Sequence, residues 1–80
     1  MKRAWHINGR YMDDMSVWGW VRLDVERQDQ GLPYWYWEAR PTGDYRHKTA
    51  DPPCGWADTY QIARAIVELI VEQAKETTDE

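Results

Sequence analysis

SVWGWVRLDVER, residues 16–27, alternates without a break. Val17, Gly19, Val21, Leu23 and Val25 fall on one side of an extended chain, and Trp18, Trp20, Arg22, Asp24 and Glu26 fall on the other. A period of two is the mark of a half-buried strand. The apolar set is the natural core face, which sends Trp18 and Trp20 to the opposite, open face. Residues 28–33 contain Asp29, Gly31 and Pro33 and read as a loop. YWYWEAR, residues 34–40, is strand-like again and completes an antiparallel hairpin with the first stretch. Either Trp35 and Trp37 or Tyr34 and Tyr36 join the two tryptophans on the open face, and the loop leaves that parity undetermined.

Outward from this hairpin the pattern is weaker. Trp5 to Asn8 reads as a short strand, with Asn8-Gly9 as a two-residue turn signal and Arg10 to Met12 as the start of a return. Pro41 to Asp44 forms a turn and Tyr45 to Thr49 a third main strand, ended by Asp51, Pro52 and Pro53. A helix is expected from Asp58 or Thr59, either of which is a good N-cap, to Lys75. On it Ile62, Ala63, Ile66, Leu69 and Ile70 form the stripe expected to pack on the sheet. Gln61, Arg64, Glu68, Glu72 and Lys75 form the wet face, and Tyr60, Val67 and Val71 a flank between them. The expected fold is therefore α+β, an antiparallel sheet of three to four strands packed against one C-terminal helix. It is one domain over residues 1–80, with sheet region 5–49, irregular loop 50–57, helix 58–75 and frayed tail 76–80.

Charge and composition restrict what such a domain can do. A chain of 80 residues has a thin core and little room for a large cleft. The net charge of −4 is uneven: residues 1–50 carry eight Lys or Arg against seven acids, +1, whereas residues 51–80 carry two against seven, −5. The single cysteine, Cys54, has no internal disulfide partner. Met1 is followed by Lys2 and Arg3 without the apolar run of a signal peptide, and Ile62 to Val71 is too short and too charged to span a membrane. The expected location is the cytoplasm.

Three constellations resemble chemistry. Tyr11-Met12-Asp13-Asp14 matches the YxDD box of reverse transcriptases, but two-metal catalysis needs carboxylates converging from separate elements around a nucleotide site. His6, His47 and Cys54 lack the pairing and number of a zinc site. His47 and Cys54 as base and nucleophile have no orienting third group or oxyanion hole. With no phosphate-cradling glycine motif either, the chain is expected to be no enzyme, with no cofactor and no metal.

The aromatic residues are more informative. Eleven of the 80 residues are Trp or Tyr, none is Phe, and Trp18, Trp20 and Tyr34 to Trp37 supply six of the eleven. Trp and Tyr pair an apolar body with a polar tip, the combination favoured at half-wet recognition surfaces. The bland account is that the rings cover an otherwise bare sheet, with Arg22 and Arg40, for about 0.5–1 kcal/mol per cross-strand pair. The functional account is protein binding: Trp18, Trp20 and Tyr36 as anchors, a rim of Asp24, Glu26, Asp29, Glu38 and Arg40, and the additional acids Asp13 and Asp14. Carboxylates placed like phosphates would occupy a basic nucleic-acid-binding surface on a partner and exclude its ligand.

A short acidic domain with a Trp18 to Trp37 hairpin and a terminal helix Asp58 to Lys75 resembles the type I anti-CRISPR proteins of phages. The resemblance covers the whole chain in outline and includes no shared motif. It implies an inhibitor that binds a CRISPR surveillance complex in a bacterial host and blocks nucleic-acid binding by occlusion or charge mimicry. The outline is also similar to integrase arm-binding domains, which implies an alternative: a small nucleic-acid-binding domain in which Arg22, Arg40, Arg46 and Lys48 contact phosphates and Trp18, Trp20 and Tyr36 stack on bases. Asp24, Glu26, Asp29, Glu38 and Asp44 oppose that field. A third alternative is a self-associating structural protein, a homodimer through Tyr60, Val67 and Val71.

Overall fold

A computed structural model of the chain describes residues 3–14, 16–40 and 52–78. The elements are β1 (Ala4–Trp5), β2 (Arg10–Met12), β3 (Val17–Leu23), α1 (Val25–Asp29), β4 (Trp35–Ala39), β5 (Cys54–Ala57) and α2 (Tyr60–Thr78). The strands form one antiparallel sheet in the order β1-β2-β3-β4-β5, and α2 packs on one face of it. The α+β arrangement is the expected one, with five strands instead of three to four. The third main strand expected at 45–49 lies outside the described residues. No helix among the described residues is long and apolar enough to cross a membrane.

The first hairpin forms where Asn8-Gly9 signals it. Gly9 has φ 84, and its carbonyl accepts from the Val21 backbone N–H at 2.9 Å. An added Cβ there would lie 2.5 Å from the Val21 carbonyl oxygen, so the turn needs glycine for both its torsion and its closeness.

The β3–β4 hairpin pairs Gly19 with Ala39, Trp20 with Glu38, Val21 with Trp37, Arg22 with Tyr36 and Leu23 with Trp35. This register resolves the open parity. Trp35 and Trp37 pack against the buried cluster under α2, and Tyr36 stands on the opposite face. β3 ends four residues before the expected strand boundary. Asp24 turns the chain into α1 by accepting the Arg27 backbone N–H on its side chain, and Val25, expected on the core face, is 57% exposed. The side-chain cap outcompetes another turn of alternation because Arg27 offers nothing apolar to bury.

Residues 54–57, expected as irregular loop, form the edge strand β5 against β4. Gly55 lies under the Trp37 ring, where an added Cβ would meet the ring at 3.1 Å. α2 begins at Tyr60 with Thr59 as its cap, the Thr59 hydroxyl accepting from the Ile62 backbone N–H at 3.1 Å.

The helix keeps Ala63, Ile66 and Ile70 of the expected stripe against the core but is rotated from it. Ala63, Val67 and Val71 are fully buried, whereas Ile62 is 47% and Leu69 58% exposed. At 100° per residue this is roughly a quarter-turn of rotation. Two causes act together. Gly19, Ala39 and Ala57 make a floor of small residues into which Ala63 and Val67 fit closely. Arg64, Glu68 and Glu72, spaced four apart and expected to face water, instead form a polar seam along β1 and β2. The Trp5 indole N–H donates to Glu68, the Tyr11 hydroxyl donates to Glu72 at 3.2 Å, Arg3 pairs with Glu72 at 2.8 Å, and Arg64 lies over the Trp5 ring at 5.0 Å. Burial in this seam, with the Glu72 carboxylate beside it, raises the Tyr11 pKa. Val67 and Val71 therefore lie inside the fold, and the homodimer contact expected through Tyr60, Val67 and Val71 is not available.

Candidate functional site

The face of the sheet turned away from α2 is built as two cross-strand rows. One runs Arg10, Trp20, Glu38, Cys54 across β2, β3, β4 and β5; the other runs Arg22, Tyr36, Trp56 across β3, β4 and β5. Side chains directly opposite one another on a sheet face touch. Tyr36 and Trp56 meet edge to face with centroids 5.5 Å apart.

Each of these three rings carries a guanidinium. Arg40 lies over Trp20 at 5.3 Å, Arg22 over Tyr36 at 5.5 Å and Arg27 over Trp56 at 4.1 Å. Such contacts are worth about 0.5–1 kcal/mol each at exposed sites. They hold long side chains in place that would otherwise be disordered by rotamer freedom.

Glu38 is the polar centre of the face. It is only 8% exposed although it points away from the helix. Arg40 Nη2 lies 2.7 Å from its Oε2, and the Tyr36 hydroxyl donates to its Oε1 at 2.7 Å. A carboxylate this buried needs both partners. Burial first, then the hydrogen bonds to Glu38 and to the exposed Cys54 thiol, raise the Tyr36 pKa far above its ordinary 10.0. Tyr36 is a neutral donor at any physiological pH.

Asp24 ties the end of β3 to the edge of the sheet. One of its oxygens caps α1 and the other accepts from the Trp56 indole N–H at 3.0 Å. Arg27, above Trp56, donates from Nε to the Pro33 carbonyl at 2.7 Å. Two grooves cross the face: one of about 390 Å³ lined by Asn8, Arg10, Trp20 and Arg22, and a second of about 460 Å³ that Arg22 shares with Asp24, Glu26, Tyr36 and Trp56.

Of the residues expected at a binding site, Trp20, Tyr36, Glu38 and Arg40 meet on this face, and Asp24 adjoins them. Trp18 does not. Tyr11 pairs with Gly19 and Met12 with Val17, so Trp18 is an extra residue in a β-bulge that breaks the strict alternation. Its ring packs against the helix-side core, beneath Arg3 at 4.1 Å. Asp13 is drawn in with it, accepting from the Trp18 indole N–H at 3.0 Å and from the Ser16 backbone N–H at 2.9 Å. Asp14 is exposed at that turn, and Glu26 and Asp29 are exposed on α1.

Trp56, Arg10 and Arg27 were not singled out by sequence reading. Their available signal was faint: Cys54 and Trp56 alternate with Gly55 and Ala57 over only four residues after two prolines. His47 lies outside the described residues, and among the described residues no three His, Cys, Asp or Glu side chains converge as a metal site. No family model, curated protein or solved structure matches the chain.

Proposed function

We propose that the chain is a non-enzymatic protein-binding module that inhibits by occlusion, with the outer face of the sheet as its contact surface. The observation that carries this reading is the concentration of Trp20, Tyr36 and Trp56, each with a stacked arginine, on the face that α2 leaves uncovered. Trp, Tyr and Arg are the residue types that dominate interface energetics. Rings and guanidiniums already held by one another lose less side-chain entropy on binding than free ones. Val25, 57% exposed, adds apolar area beside the second groove.

Occlusion by contact fits this surface better than phosphate mimicry, because Asp13, Asp24 and Glu38 are bonded within the fold. The resemblance to type I anti-CRISPR proteins makes a CRISPR surveillance complex, in the bacterial cytoplasm, the first partner to test. In capture with the purified complex, the wild-type chain binds and a Trp20→Ala, Trp56→Ala double variant with a retained circular dichroism spectrum does not. Equal capture by both chains refutes the face, and no capture by either refutes that partner.

A second reading, binding of single-stranded nucleic acid, is favoured by Arg10 and Arg22 beside Trp20. It predicts a gel shift with DNA or RNA at low salt and micromolar protein. Absence of a shift removes it.

A further inference from the structure

The two grooves meet at Arg22, and the charge around that point is unusual for this chain. Of the six arginines among the described residues, five are engaged by the fold, Arg22 among them only through its place over the Tyr36 ring. Arg3 pairs with Glu72, Arg40 with Glu38, Arg27 donates to the Pro33 carbonyl, and Arg64 lies over Trp5 and Tyr60. Arg10 and Arg22 have no carboxylate within ion-pair distance among the described residues, although the chain carries 14 acids against 10 bases.

They also share one groove. Arg10 is paired with Trp20 across β2 and β3, and Arg22 follows Trp20 by two residues on the same face. This is the diagonal relation, about 7–8 Å across a strand pair. That separation is between the backbone positions; the Arg22 head group lies over the Tyr36 ring, and the two cations together give the groove an uncompensated positive charge among the described residues.

We infer that the groove lined by Asn8, Arg10, Trp20 and Arg22 receives an acidic segment of the partner protein, in extended conformation, whose alternate side chains are carboxylates. This rests on the protein-binding reading above. The spacing is the reason for an extended segment. Residues i and i+2 of a strand lie on one side about 6.5–7 Å apart, close to the diagonal between the sheet positions that carry the two arginines, so each arginine has one carboxylate within reach of a charge-assisted, bidentate contact.

Two features favour a peptide over a nucleic acid. Trp20, Tyr36 and Trp56 each have an arginine over a ring face, which removes the bare platforms that bases stack on. Asp24 and Glu26 border the second groove, so a polyanion that continues past Arg22 runs into carboxylates. A short acidic segment ends before them.

The test is an NMR titration of the full chain at low ionic strength. The probes are an end-blocked hexapeptide with glutamate at alternate positions, its lysine counterpart, and a thymidine hexanucleotide. The expected result is a saturable shift of the Arg10 and Arg22 Nε–Hε signals and the Trp20 indole signal with the glutamate peptide alone. Binding should weaken by about tenfold or more in an Arg10→Gln, Arg22→Gln double variant, in line with the loss of two charge-assisted contacts. Both sites are solvent-exposed, and Arg22→Lys, which keeps charge but not the bidentate fork, should give an intermediate loss. Absence of shifts at millimolar glutamate peptide, equal binding of the lysine peptide, or an unchanged double variant overturns the inference. Preferential binding of the oligonucleotide overturns it in favour of nucleic acid. If the arginine variants bind the partner normally while Trp20→Ala, Trp56→Ala does not, the acidic segment is wrong and the binding face stands; if neither pair of substitutions affects capture, both fall.

Discussion

Gly19→Ala is the sharpest probe of how closely α2 approaches the sheet. A Cβ at this position would lie 2.6 Å from Val67 Cγ1 and 2.7 Å from the Glu38 carbonyl oxygen. Carbon contacts are comfortable at about 3.5–4.0 Å, so the methyl group is roughly 1 Å too close to two atoms at once. Val67 is fully buried, and the Glu38 oxygen belongs to the β4 backbone. Overpacking of this kind costs about 1–3 kcal/mol, and the upper end applies because one of the two obstacles is main chain. Restricting the unfolded chain returns about 0.4–1 kcal/mol. The expected net loss is about 2 kcal/mol, which for a domain of this size lowers the Tm by about 8–16 °C. Val67→Ala alone should also cost about 2 kcal/mol through lost burial and a cavity. The two losses should not add. Removing Val67 Cγ1 relieves one of the clashes, so the double variant should lose about 3 kcal/mol instead of 4, a coupling readable in urea unfolding. A Gly19→Ala chain as stable as wild type, or strict additivity with Val67→Ala, refutes the close approach of helix and strand.

Rotation of α2 gives an independent check: Ile62→Gln and Leu69→Gln, at exposed positions, should each change stability by less than about 0.5 kcal/mol, whereas Val71→Gln should unfold or severely destabilise the chain. Arg40→Ala leaves the Glu38 carboxylate with the Tyr36 hydroxyl and should cost about 2–3 kcal/mol, below the loss for a fully enclosed pair because the Arg40 side chain is 22% exposed; Tm measured at neutral pH checks it. Tyr11 and Tyr36 both have folded-state pKa values raised above 10.0. Their contribution to stability is therefore complete below pH 10 and is lost as pH rises through the folded values. Ultraviolet titration should show these two tyrosines ionising together with alkaline unfolding, and Glu38→Gln should bring the Tyr36 transition down.

The β3–β4 hairpin was legible because Gly19, Val21 and Leu23 alternate with Trp20 and Arg22, a two-residue period; Val17, expected with the first set, pairs with Met12 beyond the bulge and lines the outer groove with Trp20 and Arg22 instead. Helix α2 was legible from its cap and apolar content. Its orientation was not, since Ile62 and Leu69 are more hydrophobic than Ala63, and apolarity ranks side chains by what they lose in water. It is silent on what the facing sheet can accept. A floor of Gly19, Ala39 and Ala57 admits an alanine and two valines, and bonds from Trp5, Tyr11 and Arg3 turn the glutamates toward β1 and β2. The acidic rim expected at the binding site dissolved for a related reason. Asp13, Asp24 and Glu38 found hydrogen-bond donors in distant parts of the chain, and partners that far apart in sequence leave no local trace. Strand β5 escaped notice because its four residues include Gly55, made necessary by the Trp37 ring above it.

Trp18 and Trp20, one residue apart, end on opposite faces of a sheet in places where strict alternation would put them together. The bulge separates them, and what fixes the bulge is a chain of contacts: Asp13 holds the Trp18 indole, Arg3 covers its ring, and Glu72 on α2 holds Arg3. The helix thereby removes one of the two rings from the open face and makes it core, which a thin domain of 80 residues needs. The ring that remains outside is the one flanked by Arg10, Arg22 and Arg40. Stability and recognition are thus assigned to different tryptophans within one strand. Substitution of Trp18 acts on folding, and substitution of Trp20 acts on whatever the open face binds.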